Sequence, residues 1–154
     1  MTFRIMGLDP EQFRHLHALG DAELAAHGAQ RVRIQSVHSA PCRVSLDDVA
    51  VGDTAVLLNY GHQPAQTPYH QQGPIFISEP ERRADYRGEI PPALARRTLS
   101  LRGYAAAHMM IEADLTEGTH AAALIERFFA NPEVAYVHAH YARRGCFAAT
   151  IERA

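Results

Sequence analysis

Apolar residues recur along this chain at two spacings, and the switches between them divide it into short elements. Phe3-Arg4-Ile5-Met6 alternates as a strand does. Asp9-Pro10-Glu11 reads as a helix cap, a proline at the first helical position and an acid in the first turn. Phe13, Leu16 and Leu19 give that helix one apolar side, and Gly20 stops it. Asp21 is expected to cap a second short helix, Ala22 to His27, which Gly28 closes. Arg31 to Gln35 alternates again. A loop containing Pro41-Cys42-Arg43 and a turn-rich connection from Ser45 to Asp53 follow. Thr54 to Tyr60 is continuously apolar in its middle, as expected of a central strand covered on both faces.

From Gly61 to Gly73 the pattern is polar and rich in turn formers, and it predicts a long loop. Loops of that length inside a small domain tend to be functional or disordered. Pro74 to Ser78 returns to strand. In Glu79 to Gly88, Arg82, Arg83 and Arg87 are balanced by Glu79, Glu81 and Asp85, which predicts a solvated surface. Pro91-Pro92 opens a short helix through Arg97; Leu99 to Tyr104 and Met109 to Ala113 read as paired strands. Thr116-x-x-Thr119 starts a helix whose apolar residues Ala121, Leu124, Ile125, Phe128 and Phe129 fall at core-facing spacings, and Asn131-Pro132 ends it. The C-terminal half therefore reads β-β-α-β-β. The whole, residues 1–154, is expected to be one α+β domain, with a mostly antiparallel or mixed sheet and helices packed mainly on one face.

The last element is a hairpin, Val134 to Tyr141 and its return after Gly145. Side chains alternate across a strand, so His138 and His140 share a face. A three-residue loop, Arg143-Arg144-Gly145, with glycine in the left-handed region, pairs Tyr141 with Phe147, Ala139 with Ala149 and Val137 with Ile151. That register puts these six residues on an apolar face and groups Cys146 with His138 and His140. The alternative register pairs Tyr141 with Cys146 and mixes the faces. The hydrophobic pattern favours the first.

Composition narrows the chemistry. The chain has 154 residues, a formal charge of −2 and fifteen basic residues, all arginine. Without lysine, Schiff-base catalysis and lysine-dependent phosphate loops are excluded. The weak negative charge argues against nucleic acid as a partner, because phosphate contact needs a basic field. No apolar run reaches the roughly 20 residues of a membrane span, and the N-terminus lacks an apolar signal core, so no membrane partner and a cytoplasmic location are expected. Cys42 and Cys146 are then expected to be reduced thiols.

Three chemistries fit the hairpin. His138 and His140 are candidate ligands of a divalent metal, with Cys146, His62, His108 or Cys42 completing the set. Cys146 or Cys42 is a candidate nucleophile with His138 or His140 as its base, aided by Arg43 and Arg144. The third is a non-catalytic ligand pocket or interface. The bland alternative is a packed hairpin with partly exposed histidines and a small buried thiol.

Pro41-Cys42-Arg43-Val44-Ser45-Leu46, Leu58-Asn59-Tyr60-x-His62-Gln63-Pro64, Thr67-Pro68-Tyr69, Gly73-Pro74-Ile75-Phe76-Ile77 and Val137-His138-x-His140 with Gly145-Cys146 together resemble a bacterial family known only as domain of unknown function 1203. The likeness implies a single-domain bacterial protein and carries no activity. It groups the Cys42-Arg43 loop, the Tyr60 to Tyr69 loop and the hairpin. From this comes the expectation of a small-molecule pocket on the His138/His140 face, lined by Arg43, Tyr60, His62, Tyr69, His138 and His140, with a small ligand, anionic in view of Arg43 and Arg144. An enzyme with a Cys-His or metal-His centre, and a homodimeric interaction module, are the alternatives.

Overall fold

A computed structural model of the chain describes residues 2–79 and 82–154; Glu81, one of the acids of the charged segment, lies outside them. The fold is α+β, with two antiparallel sheets. Nine strands are described: β1 (Phe3–Met6), β2 (Gln30–Arg33), β3 (Thr54–Gln63), β4 (Gln71–Ile77), β5 (Asp85–Arg87), β6 (Thr98–Tyr104), β7 (Met110–Glu117), β8 (Tyr136–Tyr141) and β9 (Phe147–Arg153). The helices are α1 (Arg14–His17), α2 (Asp21–Ala26), α3 (Pro92–Ala95) and α4 (Ala121–Ala130). The larger sheet runs β5-β1-β9-β8-β6-β7, and the smaller runs β2-β3-β4.

Each sheet owns a core. The five apolar residues of α4 that share a helical stripe are buried against Leu99, Leu101, Val137, Ala139 and Ile151 of the larger sheet. Phe13, Leu16 and Leu24 of the N-terminal helical region pack with Ala55, Val56, Ile75 and Ile77 of the smaller sheet, and Cys42 is buried among them. At about 1.5–3 kcal/mol for each large apolar side chain fully removed from water, these two stripes are what fix the helices to their sheets.

Several sequence expectations need correction. Gly20, not Asp21, is the N-cap of α2, and Asp21 is its first helical residue. The predicted loop from Gly61 to Gly73 shortens to residues 64–70, because β3 continues to Gln63 and β4 begins at Gln71, with a register shift between Tyr60 and Gln63. The charged segment contains β5, an edge strand held to β1 by the Arg4–Asp85 ion pair at 2.8 Å. Charged side chains are a usual device on an edge. Strand β7 runs to Glu117, through the Thr116 that was read as a helix start.

The hairpin departs from its predicted register in an instructive way. Val137 pairs with Ile151 and Ala139 with Ala149, as the apolar pattern requires, but His140 pairs with Phe147. Ala148 is the extra residue of a β-bulge. Nearer the turn, the Tyr141 N–H donates to the Cys146 carbonyl at 2.9 Å and the Gly145 N–H to the Tyr141 carbonyl at 2.7 Å. Gly145 adopts the left-handed conformation expected of it, with φ 78°. The two competing registers thus both occur, one on each side of the bulge. Phe147 consequently moves to the histidine face, and Cys146 moves to the face of Tyr141.

One close approach positions α3. A Cβ on Gly118 would lie 1.9 Å from the Leu94 carbonyl oxygen, and the Gly118 N–H donates to the Arg97 carbonyl at 2.8 Å. Gly118→Ala is therefore expected to destabilise the protein by roughly 3 kcal/mol in chemical denaturation, while Gly61→Ala, which has open space around the new methyl, changes stability by less than about 0.5 kcal/mol.

Candidate functional site

Apart from Cys42, the sequence-predicted residues divide between two places. The first is the layer between the two sheets. There His62 from β3 meets the hairpin, its ring centroid 5.0 Å from that of His140 and 6.1 Å from that of His138. Phe147, turned inward by the bulge, stacks on His62 at 5.1 Å and stands edge-on to His138 at 5.2 Å. Tyr60 reaches Phe147 at 6.3 Å, and Tyr69 reaches the layer through Tyr104, which lies 5.0 Å from His138. His138 and His140 are only 4% and 0% exposed, so this is a packed aromatic layer. Beside it runs an open groove of about 370 Å³, edged by His62, His138, His108 and Tyr136.

Hydrogen bonds fix two tautomers. The His140 Nδ1 donates to the Gly145 carbonyl at 3.0 Å, leaving Nε2 as the lone pair. The His62 Nε2 faces the Gln71 Oε1 at 3.1 Å, an oxygen that also accepts from Arg102, leaving Nδ1 as the lone pair. Both of these nitrogens, and Nδ1 of His138, are buried without a hydrogen-bond partner among the described residues. Burial, reinforced by neighbouring positive groups, pushes His138 down to about 3. Burial also pushes His140 down to about 4, against the Gly145 hydrogen bond that favours its protonation. His62 is lowered by the same desolvation. All three rings are neutral near pH 7. Among the described residues, no group of three His, Cys, Asp or Glu is arranged to hold a metal ion.

Neither cysteine joins this layer. Cys42 is fully buried in the smaller-sheet core, its Sγ accepting from the N–H groups of Val44 and Ser78 at 3.4 Å each. Burial raises its thiol, but hydrogen bonds from Ser45 and Ser78 outweigh that effect and hold it below the ordinary value. The expected grouping of Cys146 with His138 and His140 is corrected by the bulge at Ala148, which places Cys146 beside Tyr141.

The second place is the turn end of the hairpin. A cavity of about 570 Å³ opens there between the His38–Pro41 loop, the end of α3 and the hairpin turn. Arg96, Arg97, Arg143, Arg144, Tyr141 and Cys146 line it, with Glu117 the lining carboxylate. Arg96 and Arg97 are held by Asp48 at 2.9 and 2.6 Å. Arg143 and Arg144 are exposed in the turn, and no ion pair is found for them among the described residues.

Arg43 lies behind the lining residues Pro41, Tyr141 and Cys146. It is 1% exposed. Its Nε donates to the Phe147 carbonyl at 2.7 Å, its Nη1 to the Pro41 carbonyl, and its Nη2 to the Cys146 Sγ at 3.2 Å. Its guanidinium carbon lies 5.0 Å from the Tyr141 ring centroid, and that of Arg97 lies 5.1 Å from the same ring. Among the described residues, none of the Arg43 partners is a carboxylate. The Tyr141 hydroxyl is buried without a hydrogen-bond partner among the described residues, and burial pushes it up to about 12, so it is an O–H donor throughout the working pH range. The sequence reading missed Arg96, Arg97 and the Tyr141 hydroxyl; the Arg143-Arg144 pair at a turn was the one signal that pointed here.

Residues 39–153 match the family described as Protein of unknown function (DUF1203). The chain belongs to the DUF1203 family. The match covers both cysteines, the histidine layer and every arginine that lines the cavity of this DUF1203 domain. Comparisons with curated proteins and with solved structures returned no match. No helix among the described residues is long and apolar enough to cross a membrane.

The neutral histidines set a pH dependence. Unfolded histidines take protons below about 6.5, whereas His138 and His140 resist until about 4 or below. Their contribution is complete above about pH 6.5 and is lost as pH falls towards the native values. Denaturation of the His138→Gln/His140→Gln variant between pH 6 and 4.5 is expected to show a pH slope shallower than wild type by roughly 3 kcal/mol per pH unit, at two protons of about 1.4 kcal/mol each.

Proposed function

We propose that this DUF1203 protein binds a small anion carrying carboxylate or phosphate groups, in the arginine-lined cavity at the turn of the β8–β9 hairpin. The observation that carries the reading is Arg43, a guanidinium that is always charged, fully buried and without a carboxylate partner. Burying a cation without a counter-charge costs several kcal/mol, and an anion in the adjoining cavity offsets that cost. Four other arginines line that cavity, Arg96 and Arg97 paired with Asp48 and Arg143 and Arg144 exposed, together with Tyr141, whose hydroxyl is buried. Guanidinium is the group best matched to the planar, bidentate geometry of carboxylate and phosphate oxygens.

This reading keeps the expected class of ligand and moves its place. The aromatic layer behind the hairpin serves as a rigid support: His140 grips the Gly145 carbonyl from behind and so orients the turn that carries Arg143 and Arg144.

Isothermal titration with inorganic phosphate and with citrate tests the proposal. Wild type is expected to bind at least one of them in the micromolar to low-millimolar range. Arg143→Glu/Arg144→Glu should weaken that binding at least 10-fold, since charge-assisted hydrogen bonds are worth about 1.5–3 kcal/mol each. Absence of binding to either anion, or equal binding by the variant, contradicts the reading.

A further inference from the structure

We propose that Cys146 is the reactive group of this cavity: a nucleophilic thiol that undergoes exchange with anionic low-molecular-weight disulfides and is thereby a site of covalent modification. The inference rests on the anion-binding reading above and adds a covalent step to it. Cys146 lines the cavity, and it is the cysteine that solvent reaches; Cys42 is sealed in the other core. The Cys146 sulfur receives a hydrogen bond from the buried Arg43 guanidinium at 3.2 Å. A cation held at that position stabilises the negative charge that develops on sulfur during attack.

The Tyr141 hydroxyl supplies the independent sign that the space beside the sulfur is built for a ligand. Tyr141 lines the cavity and is 5% exposed, and its hydroxyl has no hydrogen-bond partner among the described residues. Unsatisfied buried donors are uncommon and call for an acceptor. Arg143 and Arg144 stand at the mouth within the same turn as Cys146. A disulfide bearing carboxylates is therefore drawn in by the guanidiniums, while a cationic one is repelled.

The exchange balances without a further reagent. The Cys146 proton goes to solvent. Its sulfur attacks one sulfur of the incoming disulfide, a Cys146 S–S bond forms, and the original S–S bond breaks. The second sulfur leaves as a thiolate carrying the bonding electron pair. The Cys146 sulfur rises to the disulfide oxidation level as the departing sulfur falls to the thiolate level, so the single exchange needs no outside oxidant. The attached group then fills the cavity, so modification and anion binding exclude each other.

The test compares 5,5′-dithiobis(2-nitrobenzoate), a dianionic disulfide, with cystamine, a dicationic one, on the native protein. Each rate is divided by that reagent's rate with a free small-molecule thiol, and the adduct is counted by intact mass. One adduct per chain is expected, absent in Cys146→Ser, with the anionic reagent favoured at least 10-fold. Arg143→Glu/Arg144→Glu should abolish that preference, and saturating citrate should slow the wild-type reaction. Citrate binding with no adduct at Cys146, or with equal normalised rates, overturns the covalent inference and leaves the anion site standing. Failure of both citrate binding and charge preference overturns both.

Discussion

A single buried guanidinium ties the molecule together. The Arg43 backbone belongs to the smaller-sheet unit, where its N–H donates to the Phe76 carbonyl at 3.0 Å, beside the bridge between Cys42 and Phe76. Its side chain crosses to the larger sheet and grips the Phe147 carbonyl and the Cys146 sulfur. The cation lies against the Tyr141 ring. Hydrogen bonds made by a charged donor are about twice as strong as neutral ones, but two carbonyls and a sulfur do not neutralise a full charge. The site is thus electrostatically unfinished: Asp48 is taken up by Arg96 and Arg97, and Arg43 is bonded to neutral groups alone among the described residues.

The bulge at Ala148 is what makes that arrangement compatible with the rest of the hairpin. Without it, Phe147 would sit in the α4 core and Cys146 would face the histidines. With it, Phe147 fills the layer among His62, His138 and His140, and Cys146 turns towards Arg43 and Tyr141. One inserted alanine therefore separates a buried, neutral aromatic layer from a charged, open cavity on the same two strands.

The parts legible in the sequence were those set by strong local periodicity: the stripe of α4, the strand β1, the glycine at the hairpin turn, and the shared face of His138 and His140. The bulge was not legible, because Ala148 and Ala149 are both small and apolar and the pattern gives neither a preferred face. The extension of β3 and β4 past Gly61 and Gly73 was hidden because polar residues there are held by pairing and by the layer beneath, not by apolar alternation. Arg96 and Arg97 read as the end of a short helix. Only tertiary structure, through Asp48 and the close approach at Gly118, brings them to a turn almost fifty residues later in the chain. The cavity is assembled from segments distant in sequence, and no local spacing encodes it.

The most direct check is the arginine side-chain region of a ¹⁵N-resolved NMR titration with citrate. The Arg43 Nε–H, buried and bonded to the Phe147 carbonyl, should be a slowly exchanging signal. The account predicts that it shifts on citrate addition and saturates together with Arg96 or Arg97, while the remote Arg4 and Arg127 stay fixed. A titration in which the Arg43 signal does not move, or moves no more than those of Arg4 and Arg127, contradicts it.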